Sequence, residues 1–497
     1  MTVKKHIALL VLLIVTMATA AQDFSPRGCR RGTRQPRPAL TRAAGKMLGP
    51  GGDFYQGHRR QLVVLAAYSD YAFQGDEAQT LATWDKVLNA EGLHEAPYEG
   101  SVHDYFMAQS YGLFQLYFDL QYVQLASGRD RYASTADDDE NSQYLVNDIV
   151  DELLTRDIPW GEYDWNGDGR INQLLIIYAG KGQNDGGDSH TVWAHQWLLS
   201  DHIDPATSQP CPTRTVSHDG IDYVIDSYCA VPELSGYHDS TFGTLCHEYT
   251  HCFGFPDYYY GSINYVGKWD LMDIGNYNGD GCCPPGYSAH QRWLMGWLTP
   301  QELTQPVNVT DMAPLHEQPQ AYLIRNDGYQ DEYYMLENRQ RDSWDASLPG
   351  SGLVIAHIDY DAGLWNGTTP GFTNKPDYQR YSIFAANNNS AYSSYNASNW
   401  AYPYNGNNQL TNTSSPASTL LHDNADGTRL MSKPVTGITV SNGVAAFAFM
   451  GGTSAVTAPT VSTQQGPLQV LYRMGPLVIV RRPDGTVVKQ IAAPPIH

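Results

Sequence analysis

The spacing of apolar residues predicts a run of alternating helices and strands in the first half of the chain. Leu62-Val63-Val64-Leu65 is a short continuous apolar run, the form a buried strand takes. Helical spacing follows from Gln79 to Ala90 and again from Val102 to Gln109, and Phe114 to Leu125 then alternates as a strand does. Between Tyr144 and Leu154 the residues Leu145, Ile149, Leu153 and Leu154 recur at helical intervals and predict an amphipathic helix. Leu174-Leu175-Ile176-Ile177-Tyr178 reads as a strand buried on both faces. Interleaved helices and strands imply an α/β (α+β) domain with a mixed sheet, placed at 57–300.

After Trp297 the pattern becomes one of short alternating strands separated by Asn, Ser, Gly and Pro-rich turns. Candidate strands are Tyr322–Arg325, Tyr333–Glu337, Leu353–Ile358, Ile438–Val440 and Ala445–Phe449, which define a β-rich module over 301–452. The Asn, Tyr and Ser-rich stretch 387–415 reads as a long surface loop. Residues 453–497 read as a linker and a small tail with two strand-like runs around Pro483-Asp484-Gly485.

The N-terminus changes the expected compartment. Lys4 and Lys5, an apolar run from Ile7 to Val15 and the small residues Ala18-Thr19-Ala20 form an export signal over 1–20. That run is too short to span a bilayer, so a secreted or cell-surface protein without a transmembrane segment is expected. Residues 21–56, rich in Arg, Pro and Gly, read as a linker or short pro-segment. A formal charge of -21, from 52 acidic and 31 basic residues, argues against a nucleic-acid partner. Seven cysteines leave at least one unpaired. Cys29 stands apart as a spare thiol or a thiolate ligand of a latent form, and pairing is plausible among the six between Cys211 and Cys283.

The candidate chemistry sits at Leu245-Cys246-His247-Glu248-Tyr249-Thr250-His251-Cys252-Phe253-Gly254. Residues four apart share one face of a helix, so His247 and His251 can aim two imidazoles at one metal, and Glu248 beside them is a candidate general base. Gly254 falls where the helix must end for a third ligand to return. Asp257 has the spacing for that ligand, with Asp270 and Asp273 as alternatives. Met272 is a candidate apolar floor or simple core, and Tyr277 a candidate oxyanion donor or a structural phenol.

These segments resemble the immune inhibitor A-like secreted zinc metallopeptidases. The likeness includes Trp269-Asp270-Leu271-Met272, the stretch Tyr287-Ser288-Ala289-His290-Gln291-Arg292-Trp293-Leu294-Met295-Gly296-Trp297-Leu298, and Leu336-Glu337-Asn338-Arg339. It also takes in Leu348-Pro349-Gly350-Ser351-Gly352 and, upstream, Ser101-Val102, Asp104-Tyr105-Phe106 and Ser110-Tyr111-Gly112. The resemblance implies a zincin-type catalytic domain with an active-site helix, endopeptidase action on proteins or peptides, zinc and structural calcium. Its departure is the short segment available for latency.

Two further segments carry their own readings. Asp164, Asn166, Asp168, Arg170 and Asn172 fall at alternate positions around Gly167 and Gly169, as in the first part of a calcium loop. Leu175 stands where a bidentate Glu would complete that loop, and a plain Asp/Asn/Gly turn is the other reading. Val192-Trp193-Ala194-His195-Gln196-Trp197 is a candidate edge strand for an extended peptide. A surface adhesin or glycan-binding protein on a peptidase fold is the alternative function, suggested by the Tyr, Trp and Asn of the second half.

Overall fold

The computed structural model describes residues 49, 52–133, 141–204, 207–365 and 371–452 fully, with the backbone of 455–456, 469–474, 477–481 and 487–491. The expected signal segment 1–20 and Cys29 lie outside the described residues, as does most of the linker.

Five strands form the first sheet, in the order β2-β1-β3-β7-β4. They are β1 (Gly57–Ala67), β2 (Phe114–Gln124), β3 (Leu174–Lys181), β4 (His195–Leu198) and β7 (Ser227–Leu234), while β5 (Arg214–His218) and β6 (Ile221–Ile225) pair as a separate hairpin. β1 runs parallel to β2 and β3, β3 runs parallel to β7, and β4 closes the edge antiparallel to β7. The mixed sheet expected from the sequence is therefore present. From Leu62 to Ala67 β1 is wholly buried, as central parallel strands must be.

Three of the helices start at a capping box. α1 (Glu77–Asn89) begins two residues before the apolar pattern because Asp76 accepts the Gln79 amide and the Gln79 side chain returns the bond. α2 (Val102–Gln109) has the same box from Ser101 and Asp104, and α3 (Ser142–Leu153) presents Leu145, Ile149 and Leu153 to the core. α4 (Phe242–Cys252) is buried at every residue and lies below the β7–β4 side of the sheet. α5 (Ala289–Leu294) starts at Ser288, boxed with Gln291.

Strand β7 was not legible because Pro232 reads against a central strand. It is tolerated because the ladder with β3 shifts register between Tyr178 and Lys181, next to the Tyr178–Pro232 pair. The β-rich half contains a second sheet of β8 (Gln301–Glu302), β10 (Tyr322–Arg325), β11 (Glu332–Arg339), β12 (Gly352–Asp359) and β13 (Tyr381–Ile383), ordered β13-β12-β11-β10-β8. A third sheet joins β9 (Val307–Met312), β14 (Val435–Ser441) and β15 (Val444–Phe449), with 455–456 alongside β9. The tail strands 469–474, 477–481 and 487–491 form an antiparallel sheet of three, one more than the two runs expected.

One hydrophobic cluster runs from the first sheet through α4 and α5 to one face of the second sheet. Phe54 and Tyr55, within the expected linker, belong to it, and the Tyr55 hydroxyl donates to Phe253 O at 2.9 Å. The stretch 387–415 is also more than a surface loop. Trp400 and Tyr402 are buried, and Trp269 Nε1 reaches across from the first half to Ala397 O at 3.0 Å. Trp400 and Tyr402 serve packing while Tyr395 is exposed, a difference that a composition reading cannot make. None of the six described cysteines is in a disulfide.

Candidate metal centre

Helix α4 is held in place from its far face. The Tyr249 hydroxyl donates to Gln61 Oε1 on β1 and accepts from Gln173 Nε2, both at 2.8 Å. With Tyr249 turned to the sheet, helical geometry turns His247, Glu248 and His251 elsewhere. Phe253 ends the helix, and Gly254 adopts φ +112, a conformation favouring glycine, which lets the chain reverse.

That reversal brings Asp257 back. Its Oδ1 lies 3.2 Å from His247 Nε2 and 3.1 Å from His251 Nε2, and the three ligand-type atoms fall within 4.8 Å of one another. All three residues are buried. His247 Nδ1 meets Leu271 O at 2.6 Å and His251 Nδ1 meets Phe255 O at 2.7 Å. A carbonyl only accepts, so each Nδ1 carries a hydrogen and each Nε2 is the nitrogen left toward the common point. Glu248 lies beside them, 2% exposed, with Oε1 buried and without a hydrogen-bond partner.

Electrostatics favour positive charge at the common point. Burial pushes the His247 pKa down, but the Asp257 carboxylate, followed by Glu248, outweighs it and raises the value to about 9. Two imidazoles and one carboxylate, with their second nitrogens already committed, form a donor set that fits zinc.

The other carboxylates near the motif each commit one oxygen to the turn that follows, and Asp273 Oδ1 is buried without a partner. Asp270 Oδ1 accepts from Met272 N and Gln291 Nε2, both at 2.9 Å, and burial raises its pKa to about 7. Asp273 Oδ2 accepts the amides of Tyr265, Val266 and Gly267 at 2.9, 2.8 and 2.7 Å, while burial raises its pKa to about 6. These bonds fold the 265–273 turn beneath α4. Met272 is fully buried in that turn, and its carbonyl accepts the Tyr258 amide at 2.8 Å. Tyr277 stacks on His238, with ring centroids 4.6 Å apart, in the 275–281 segment packed against α4.

The Asp164 loop closes on itself. Asp164 accepts the amides of Gly167, Asp168 and Gly169 at 2.8 to 3.1 Å, and Asn172 Oδ1 accepts that of Trp165 at 2.6 Å. Asn166 Nδ2 donates to Asp168, and the Arg170 guanidinium pairs with Asp226 at 3.0 Å. At the sheet edge, His195 of β4 and His202 both bond the Tyr228 hydroxyl, at 2.9 and 2.7 Å. That pair fixes the edge, and neither histidine carries a spacing signal that would have singled it out.

Residues 89–296 match the family model described as "Immune inhibitor A peptidase M6, catalytic domain". This stretch is similar to the catalytic domain of the peptidase M6 family. "Immune inhibitor A" of Bacillus thuringiensis subsp. alesti is 30% identical over 151 residues, covering 26% of this chain and 20% of that protein. The alignment thus spans about a fifth of the relative's length. The M6 stretch holds α4, Asp257 and the 265–273 turn, but not β1, to which α4 is tied through Tyr249 and Gln61. Among the described residues, no helix is long and apolar enough to cross a membrane.

Proposed function

We propose that the chain is an exported, zinc-dependent endopeptidase acting on proteins or peptides. The observation carrying this reading is the convergence of His247 Nε2, His251 Nε2 and Asp257 Oδ1 beside the unpartnered carboxylate oxygen of Glu248. His247, His251 and Asp257 would hold zinc, which supplies Lewis acidity toward a peptide carbonyl and acidifies water. Glu248 takes a proton from the attacking water and returns it to the leaving amine. β4, antiparallel at the sheet edge above α4, receives an extended substrate by main-chain pairing. Met272 serves as the floor and Tyr277 as a candidate donor to the developing oxyanion.

Glu248→Gln tests the reading. The variant is expected to retain about one equivalent of zinc and lose at least about a hundredfold in casein hydrolysis. A variant that retains zinc and cleaves casein at the wild-type rate overturns it. We also propose calcium at the Asp164 loop as a structural ion. A rise in melting temperature on adding calcium, lost in Asp168→Ala, supports this, and no rise removes it.

A further inference from the structure

We propose that the cavity beside Asp257 is a substrate side-chain subsite, built jointly by both halves of the chain and selective for a hydroxyl-bearing residue. The proposal rests on the peptidase reading. Pro256, Asp257, Tyr259 and Gly261 line the cavity from the M6 side, and Phe372 and Thr373 line it from the β-rich side.

Thr373 gives the cavity its chemistry. The residue is 1% exposed, yet its hydroxyl has no hydrogen-bond partner. A buried hydroxyl left unpaired loses its hydration without replacement, so a partner of matching polarity is favoured there. Its backbone is fixed, because Thr373 O accepts the Arg380 amide at 3.2 Å. The next residue, Asn374, donates through Nδ2 to Tyr258 O at 2.8 Å and Tyr381 O at 2.9 Å. The backbone that carries the hydroxyl is thereby tied to Tyr258, the residue that follows Asp257.

The remaining walls set the rest of the preference. The Phe372 ring meets Tyr260 edge-on at 4.9 Å, and Pro256 and Tyr259 add further apolar surface. Such walls suit an alkyl body with one polar tip. Asp257 points its Oδ1 at His247 and His251, so it is not offered as the partner of a Lys or Arg side chain. Exposed Gly261 forms the rim, and a Cβ there would meet nothing within 4 Å. Because Asp257 belongs to the metal centre, an occupant of this cavity lies next to the scissile bond.

The test digests a proteome-derived peptide library with the full chain and reads the cleavage sites by mass spectrometry. One position adjoining the scissile bond is expected to favour Ser over Ala and Thr over Val by about five- to tenfold, the worth of one hydrogen bond. Thr373→Val should bring both ratios close to one, and Thr373→Ser should restore the Ser and Thr preference. Phe372→Ala should admit bulkier residues at the same position. Wild-type ratios in Thr373→Val, or no such preference in the wild type, overturn the proposal. If Thr373→Val does not fold, a Phe372→Ala profile unchanged at that position overturns it. Absence of any cleavage by the wild type would instead overturn the peptidase reading.

Discussion

His247 Nδ1 lies 2.6 Å from the carbonyl oxygen of Leu271, twenty-four residues away on the turn beneath the helix. That bond leaves Nε2 as the nitrogen facing the proposed zinc site, and it depends on the turn keeping its shape. Asp270 holds the turn, through Met272 N and through Gln291 Nε2 of α5.

Asp270→Ala is therefore expected to weaken zinc binding without removing a ligand. Loss of a supporting contact of this kind typically costs 10- to 100-fold in metal affinity. Competition against a chelator of known affinity measures it. An unchanged zinc affinity would show that the Leu271 carbonyl is held by other means.

Gly243 sits inside α4, where Gly→Ala ordinarily gains about 0.5–1 kcal/mol from helix propensity. Here a Cβ would lie 1.9 Å from Asn276 O, a backbone atom that cannot rotate aside. Overpacking of this kind costs roughly 1–3 kcal/mol or more, which outweighs the propensity gain. Gly243→Ala should lower the melting temperature and loosen zinc binding together, since the 275–281 segment must move. A variant more stable than the wild type would sink this account.

Legibility of the site followed local chemistry. His247, Glu248, His251, Gly254 and Asp257 sit within one helix and one reversal, so their spacing in the chain constrains their spacing in space. The supporting atoms did not announce themselves, because the Leu271 and Phe255 carbonyls are backbone groups that any residue could supply. Spacing ranks Asp257 ahead of Asp270 and Asp273 in the sequence, and the bonds of the latter two to amides of the turn set them further apart. The fold behaved similarly. β1 and β3 were readable as apolar runs, whereas β7 was hidden by Pro232 and the 387–415 packing by its polar composition.

Arg339 of β11 lies in a fully buried knot joining the two halves. Its guanidinium donates to Asp345 at 2.6 and 2.7 Å, to Glu337 at 3.1 Å and to Gly286 O at 3.0 Å. Burial opposes its charge, but the carboxylates of Asp345 and Glu337 hold its pKa above the ordinary value. Arg339→Met would leave two buried carboxylates without their cation, at a cost of about 3–5 kcal/mol. Arg339→Lys should recover little, because an ammonium cannot reproduce the planar fork. Urea unfolding of both variants checks this, and a loss below about 1 kcal/mol in Arg339→Met would contradict it.

His290 of α5 makes the same junction sensitive to acid. Its Nε2 meets the Tyr333 hydroxyl at 2.9 Å, Nδ1 is buried without a partner, and Tyr360, Trp365 and Tyr381 surround the ring. Burial disfavours the imidazolium and lowers the pKa from 6.5 to about 3. The sign follows from which state binds the proton. The unfolded chain protonates His290 near its ordinary value while the folded chain does not, so its contribution is complete above pH 6.5. It is lost as the pH falls through the interval down to about 3, at up to about 1.4 kcal/mol per pH unit for one proton. The buried carboxyls of Asp270 and Asp273 titrate with the opposite sign, because their raised values favour folding at low pH. The two effects separate by mutation. His290→Gln should flatten the decline in stability between pH 6 and pH 4, even if it lowers stability at neutral pH. Urea denaturation across that range measures the slope, and a slope equal to that of the wild type would assign the acid sensitivity to other groups.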